Sequence, residues 1–414
     1  MNIALFTDSY LPSKTGVVTV VNQLYECLKN KGHHVIIITV DNPAVNVNSP
    51  AEFNPDVYRV PSVKIGFGMK DQFLGYPFLK KVSKILKSNK IELIHCHTEF
   101  TMGIHAIHES RKLRIPLVCT THTMWEDYYK FYLPMGEHIS PEFIRFLIRK
   151  FYNHAFSLIN VSEKAHDYFK QDGICPKVPS AIIPNAIPPQ NLVKTRSTPE
   201  EIKELRNSLG IQDDEKVILY VGRVVEEKRV LELVDVIDHS LAKNPKAKAL
   251  IVGDGAALKH MQKLSTITDV RDRYIFTGFI ENTKVHKYYE AADVFVTASL
   301  SEMHSMTILE ALTFGVPIVV RKDTSYNDTV INGVNGYQVE KDEDMESHIL
   351  EILSNEALSK ELSANGEKLS LKFMPDTFVD RHVAYYQAVI EAWKKHKKLT
   401  DEELEFAVLS AEKE

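Results

Sequence analysis

The stretch Asp293-Val294-Phe295-Val296-Thr297-Ala298-Ser299-Leu300-Ser301-Glu302-Met303-His304-Ser305-Met306-Thr307-Ile308-Leu309-Glu310 reads as an apolar strand, a turn, and a helix expected over Met306 to Phe314. Glu302 ends the strand and Glu310 lies inside the helix, so two carboxylates bracket a strand-to-helix turn. Such a turn can hold a sugar nucleotide: amides at a helix N-terminus face a diphosphate, and a carboxylate at each end accepts hydrogen bonds from hydroxyls. Glutamates at this spacing are common by chance. The surrounding sequence gives the pair its weight.

Upstream of the turn, further apolar strands are expected at Val217–Val221, Ala249–Val252 and Tyr274–Thr277, with another downstream at Ile318–Val320, each separated by helical patterns. The first half repeats the alternation: strand Asn2–Phe6, helix Val17–Lys31, strand His34–Val40, then strands Leu93–Cys96, Leu117–Thr121, Leu158–Val161 and Ala181–Ile183. Alternating β and α with nearly continuous apolar strands predicts an α/β chain of two doubly wound, Rossmann-like domains. Six prolines between Pro176 and Pro199 mark the connector. The expected division is a domain over 1–185, a linker over 186–199, a domain over 200–375, a C-terminal helix over 376–398, and an acidic tail over 399–414, read as a solvated or frayed helix. Two such domains meeting at a cleft would bind ligand outside the carboxyl ends of their strands, where Glu302 falls.

With 414 residues, 44% of them hydrophobic, the chain is long enough for two large cores. Apolar runs such as 35–40 and 316–320 are far too short to cross a bilayer, and Asp8 interrupts the N-terminal one, so neither a signal peptide nor a membrane span is expected. Cys27, Cys96, Cys119 and Cys175 have no metal or disulfide spacing, which suits free thiols in the cytoplasm.

The net charge of −5 conceals an uneven distribution, because residues 1–198 are net basic and the remainder net acidic. Segment 59–90 holds Arg59, Lys64, Lys70, Lys80, Lys81, Lys84, Lys87 and Lys90 against Asp71 alone, interleaved with apolar residues including Phe67, Met69, Phe73 and Phe78. This suits an anionic membrane surface, and equally a solvated helix face with a core stripe. Helix 141–154 is a second candidate: Phe143, Phe146, Leu147 and Phe151 occupy more than one stripe beside Arg145, Arg149 and Lys150. Lipid or a neighbouring domain could cover it.

Several residues at strand ends can carry chemistry. Val221-Gly222-Arg223 closes a strand and Glu227-Lys228 follows, offering a close backbone approach and two cations for a diphosphate, or else two cations paired with Glu226 and Glu227. Asp8 to Gly16 forms the first strand-to-helix loop; it lacks the three-glycine dinucleotide pattern, but a glycine at a helix start remains compatible with a phosphate or sugar contact. Gly253-Asp254-Gly255 reads as a plain turn. His122 follows the strand Leu117–Thr121, with Glu126 and Asp127 nearby as possible hydroxyl acceptors. His95-Cys96-His97 lacks further ligands at metal spacing, and Asp342-Glu343-Asp344 opens a helix, where acids complement the dipole. No metal, cofactor or nucleic-acid partner is expected.

Taken together, Gly16, His122, Gly222-Arg223, Glu227-Lys228 and Glu302 with Glu310 resemble the retaining, nucleotide-sugar-dependent glycosyltransferases of family 4, from the first strand to about Trp393. The resemblance implies the GT-B fold, with two Rossmann-like domains facing across a cleft, acceptor bound by the first and donor by the second. It implies that Glu310 binds the ribose, Glu302 the donor sugar, Arg223 and Lys228 the diphosphate, and that His122 lies beside the transferred sugar. The catalytic set is then His122, Glu302, Arg223 and Lys228. Gly16, Gly222, Met303, His304, Ser305 and Met306 join the donor site, and Asp8, His122, Glu126 and Asp127 form the acceptor site.

A narrower similarity rests on Thr7-Asp8-Ser9-Tyr10-Leu11-Pro12 with Gly16-Val17-Val18-Thr19, on His97-Thr98-Glu99-Phe100, and on His122 to Tyr128. These resemble bacterial enzymes that glucosylate diacylglycerol to make glycolipids and lipoteichoic acid anchors. What that implies is a UDP-sugar donor, probable glucose transfer to the hydroxyl of 1,2-diacylglycerol, and a cytoplasmic enzyme held peripherally on the inner membrane face by its basic N-terminal half. His304 and Ser305 depart from the resembling turn, which carries a Gln and a Gly there. Alternatives are a soluble or polyprenyl-linked sugar acceptor, an epimerase of the same architecture, or a non-catalytic sugar-nucleotide or membrane-binding protein.

Overall fold

The computed structural model describes residues 1–13, 15–43, 45, 54–64, 73–76, 78–132, 136–188, 196–265 and 269–411, with the side chains of Asp127, Phe131 and Tyr132 outside the description. Phe67, Met69, Lys70 and Asp71 of the basic segment, residues 189–195 of the connector and the last three residues of the tail therefore lie outside the described residues. The chain divides into unit 1, Met1–Asn185 with Pro375–Glu414, and unit 2, Ala186–Met374.

In unit 1 the elements run β1 (Asn2–Thr7), α1 (Gly16–Asn30), β2 (His34–Val40), β3 (Val57–Val60), β4 (Ser62–Lys64), β5 (Phe73–Gly75), α2 (Lys80–Ser88), β6 (Leu93–Cys96) and α3 (Thr101–Leu113). They continue through β7 (Leu117–Thr121), α4 (Trp125–Tyr132), α5 (Pro141–Tyr152), β8 (Ser157–Asn160), α6 (Glu163–Lys170) and β9 (Ser180–Ile182). Seven of the strands form one parallel sheet in the order β3-β2-β1-β6-β7-β8-β9, while β4 and β5 pair separately and antiparallel. The strands are buried on both faces, as at Ile3–Phe6 and Val35–Ile38, which is why they read as unbroken apolar runs.

Unit 2 contains α7 (Pro199–Ser208), β10 (Lys216–Val221), α8 (Val230–Lys243), β11 (Ala247–Val252), α9 (Leu258–Ser265), β12 (Tyr274–Gly278), α10 (His286–Glu290) and β13 (Val294–Thr297). After them come α11 (Met306–Thr313), β14 (Ile318–Arg321), β15 (Gly336–Val339), α12 (Asp342–Ser354) and α13 (Glu356–Ser370). Its six strands are parallel in the order β12-β11-β10-β13-β14-β15. Counted within the unit this is 3-2-1-4-5-6, the Rossmann order, and unit 1 follows the same order with one further strand. In each, the connections leave in opposite directions from the two central strands, β1 and β6 or β10 and β13. That switch point is where a ligand crevice opens at the carboxyl ends of the strands.

Two expectations are corrected here. The connector 186–199 is packed onto unit 2 at its described ends: Ile187 lies in the unit 2 core and donates its N–H to Phe373 O at 2.8 Å, and Arg196 pairs with Glu367 at 2.7 Å. The acidic tail is not a frayed helix. Residues Asp401–Ser410 form α15, opened by a capping box between Thr400 and Glu403, with Leu404 and Val408 buried. Asp401 pairs with Lys170 at 2.7 Å and accepts the Ser180 N–H at 2.7 Å, so α15 is tied to the edge strand β9. Charge counting missed it because the two apolar anchors, four residues apart, are few among acids.

The helix α14 (Pro375–Lys394) belongs to unit 1, where Tyr385 OH donates to Leu158 O at 2.8 Å and Lys31 pairs with Asp380 at 2.7 Å. In α2, Val82, Ile85 and Leu86 face inward while Lys80, Lys81, Lys84 and Lys87 are exposed, a core stripe under a lysine face.

Candidate active site

Unit 2 supplies the residues expected at a donor. Strand β10 is followed by Gly222 with φ +155°, and β11 by Gly253 with φ +145°; a Cβ on Gly253 would lie 1.8 Å from Gly222 O. The two loops abut backbone to backbone, and Val224 donates to Asp254 O at 3.0 Å. Gly253-Asp254-Gly255 is thus a packing device that holds the Gly222 loop, more than the plain turn expected.

Beyond Gly222, Tyr220 OH donates to Arg223 O at 2.9 Å, and Arg223, 55% exposed, pairs with Glu227 at 2.6 Å. Lys228 turns the other way: its Nζ lies 2.7 Å from Glu302 Oε1, with the lysine side chain 12% and the glutamate 22% exposed. The next residue holds this lysine in place. Arg229 takes a left-handed conformation at φ 53°, reaches Ala298 O at 3.3 Å, and bonds Asp342 Oδ1 at 3.2 Å, an oxygen it shares with Arg321. Asp342 therefore bridges two arginines behind the site and is not the N-cap of α12, which is Lys341.

The turn after β13 is buried at Met303, His304 and Ser305. Tyr326 OH donates to Ser299 O at 2.9 Å, fixing the backbone before Glu302. Ser305 precedes α11 without capping it by its side chain, its hydroxyl lying 3.0 Å from Thr307 Oγ1. The positive end of α11 therefore carries no side-chain oxygen from its N-cap residue, a setting suited to phosphate. Glu310 accepts from Tyr289 OH at 2.8 Å. His304, expected at the donor site, has a wholly buried side chain 3.1 Å from Asp328 and beside the Phe373 ring. It braces the turn from behind.

Unit 1 builds its own constellation at its switch point. Asp8, following β1, accepts from Thr98 and Thr101 hydroxyls at 2.6 Å each and from the Met102 N–H at 2.9 Å, so its carboxylate seats the first turn of α3. Burial raises its pKa against those hydrogen bonds. An acceptor role for Asp8 through a free carboxylate does not fit these bonds. Glu126 is likewise engaged, bound by Arg145 at 2.6 and 2.9 Å and by Tyr168 OH at 2.7 Å. Gly16 is the exposed first residue of α1, where an added Cβ meets open space.

His122, just past β7, sets Nε2 at 3.0 Å from Nδ1 of His97, just past β6. Burial and the neighbouring His382 lower its pKa to about 3, so it is neutral at pH 7. Behind the pair, His95 is held by Tyr386 OH and Thr120 Oγ1 at 2.6 Å each and packs its ring 4.0 Å from that of His97. Among the described residues no group of three potential ligands is arranged to hold a metal ion. Glu99 accepts from Tyr152 OH, and burial pushes its carboxyl up to about 7.

Sequence reasoning missed Tyr289, Asp328 and Arg229, which act through distant partners. A left-handed Arg229 carries no residue-type signal.

A parallel sheet in Rossmann order defines a Rossmann-like α/β unit, and two such units in one chain make the GT-B fold. The chain belongs to the family 4 glycosyltransferases: the pattern described as Glycosyltransferase Family 4 matches residues 14–191, and that described as Glycosyl transferases group 1 matches 201–369. The alpha-monoglucosyldiacylglycerol synthase of Streptococcus pneumoniae is 33% identical over 85% of this chain and 78% of its own length. The protein of the same name from Acholeplasma laidlawii is 31% identical over 96% and 99%. Among solved structures, Anabaena HepE in complex with UDP matches with a TM-score of 0.74 at 19% identity, covering 94% of this chain and 100% of that one. WaaG, a glycosyltransferase involved in lipopolysaccharide biosynthesis, matches at 0.65 and 17%, covering 91% and 98%. At those identities the structural likeness bears on the fold.

Proposed function

We propose that this glycosyltransferase moves a hexose, glucose in the first instance, from a UDP-sugar to the free hydroxyl of 1,2-diacylglycerol, with the anomeric configuration retained. The observation that carries the reading is the Lys228–Glu302 pair beside the uncapped start of α11. Such a pair can offer a cation to a diphosphate and a carboxylate to a sugar hydroxyl. The names of the two relatives support the acceptor.

In the reaction, the bond from the anomeric carbon to the β-phosphate oxygen breaks as the acceptor oxygen bonds to the same carbon on the same face. The acceptor's proton passes to the departing phosphate. Negative charge grows on that phosphate, and Lys228, Arg223 and the first amides of α11 stabilise it. The positive charge comes from the chain itself, so turnover is expected to persist in EDTA.

Access to a lipid would come through unit 1, peripherally at an anionic membrane surface. No described helix is long and apolar enough to cross a membrane. Helix α5 leaves Phe143, Phe146 and Leu147 51%, 43% and 46% exposed, while Ile144, Ile148 and Tyr152 are buried. Arg149 and Lys150 stand 5.8 and 5.6 Å from the Phe146 ring centre, a basic and apolar face suited to lipid headgroups.

The deciding experiment supplies several UDP-hexoses to the protein with anionic liposomes containing diacylglycerol, then identifies the glycolipid by mass and its linkage by NMR. An α-linked glucosyldiacylglycerol is expected. Product formed only on water-soluble sugars would refute the lipid acceptor, and tight UDP binding without any transfer would refute the enzyme.

A further inference from the structure

We infer that His97 fixes the tautomer of His122, so that His122 meets a substrate hydroxyl as a hydrogen-bond donor through Nδ1 and not as a base. The two residues leave the carboxyl ends of neighbouring parallel strands, and their rings stack 5.3 Å apart at 23°. His97 Nδ1 and His122 Nε2 are 3.0 Å apart. Between two neutral imidazoles at that distance, one nitrogen carries the hydrogen and the other accepts it.

His97 Nε2 decides the direction. It is buried without a hydrogen-bond partner among the described residues. A proton there would leave a buried N–H without an acceptor, a rarer state in folded proteins than a bare acceptor. His97 therefore carries its proton on Nδ1 and donates it to His122 Nε2. A neutral His122 must then hold its own proton on Nδ1.

The surroundings keep both rings neutral. Burial holds His97 well below the ordinary histidine value, His122 is lowered as described, and the groups acting on them are His95 and His382. Neither of these can reverse the direction. Both nitrogens of His95 are occupied, by Tyr386 and Thr120, and His382 Nδ1 donates to Phe378 O at 2.8 Å. His97 is thus a positioning residue that acts through His122.

The identity of the hydroxyl as one on a bound sugar or acceptor rests on the proposed hexosyl transfer; the tautomer does not. Nitrogen-15 NMR of the full-length protein, labelled at histidine and without substrate at pH 7, reads it directly, with His122→Ala used for assignment. A protonated Nδ1 and a bare Nε2 on His122 are expected, and the opposite pattern overturns the inference. Kinetics give the second arm. His97→Asn, whose amide nitrogen can stand where Nδ1 stands, is expected to retain kcat/KM within about fivefold, whereas His97→Asp must accept from His122 Nε2 and is expected to lower it about 30-fold. Equal kcat/KM in the two variants, both shown folded by circular dichroism, would also overturn it. Absence of transfer to every acceptor would instead count against the proposed function and leave the NMR result standing.

Discussion

Lys228 Nζ and Glu302 Oε1 stand 2.7 Å apart although 74 positions separate the residues in the chain. The lysine follows β10 and the glutamate follows β13, the two strands at the switch point of unit 2. Under the proposed function the lysine would meet the diphosphate and the glutamate the donor sugar. Lys228→Ala should lower kcat by about 100-fold, the scale of losing one group that stabilises developing charge, with a much smaller effect on folding. A folded variant with normal turnover, judged by steady-state kinetics beside a thermal melt, would remove the lysine from the site.

Tyr289 OH donates to Glu310, and both lie beneath the turn that opens α11. Tyr289→Phe removes the hydroxyl that reaches Glu310 at 2.8 Å and Thr307 O at 3.2 Å, without opening a cavity. UDP affinity should fall about fivefold to tenfold, the value of one such bond. Isothermal calorimetry on the variant measures it, and unchanged affinity would take Glu310 out of ribose binding.

Gly253 allows no side chain, since its Cβ would meet Gly222 O at 1.8 Å. Gly253→Ala should cost about 2–4 kcal/mol in urea unfolding by forcing the two loops apart. Gly16→Ala, where the space is open, is the control and should change stability by less than about 1 kcal/mol.

Acid should destabilise unit 1 before the usual carboxylate range is reached. His95, His97, His122 and His382 have folded pKa values lowered from 6.5 by burial, His122 to about 3 and His382 to about 4. Below pH 6.5 the unfolded chain takes up protons that the folded one refuses, so this contribution is full above 6.5 and is lost as pH falls toward the folded values. Four such groups give a slope of up to about 5 kcal/mol per pH unit. Asp8, raised by burial, and Glu99 oppose it. The folded pKa of Glu99 is raised to about 7, so its contribution is present below 4.5 and fades as pH rises. The net expectation is stability rising with pH between about 4.5 and 6.5. Urea titrations at half-unit intervals test this, and a flat or falling profile would contradict it.

Replacing Phe143, Phe146 and Leu147 together by Ser should weaken binding to anionic vesicles by about tenfold or more, since each fully buried large apolar side chain contributes about 1.5–3 kcal/mol. All three are exposed, so the melting temperature should hold. Vesicle co-sedimentation reads the outcome, and unaltered binding would leave α5 an ordinary surface helix.

The sequence by itself determined the two parallel sheets, because a strand covered on both faces is apolar along its buried stretch, as Ile3–Phe6, Val35–Ile38, Val217–Val221 and Ala249–Val252 are. The Glu302 and Glu310 spacing and the cations after Gly222 were equally legible, being local and at strand ends. Short, partly polar strands escaped it: β3, β15 and the β4–β5 pair lie at edges or outside the main sheet, where periodicity is weak. Tertiary structure alone decided the partners. It turned Lys228 to Glu302, Glu126 to Arg145, His304 to Asp328 and His122 to His97. It also packed the helix of the acidic tail against β9 through Lys170. These are pairings between residues far apart in the chain, and which of many carboxylates or histidines a side chain meets is set by strand order and helix packing, which no local pattern of residue types encodes.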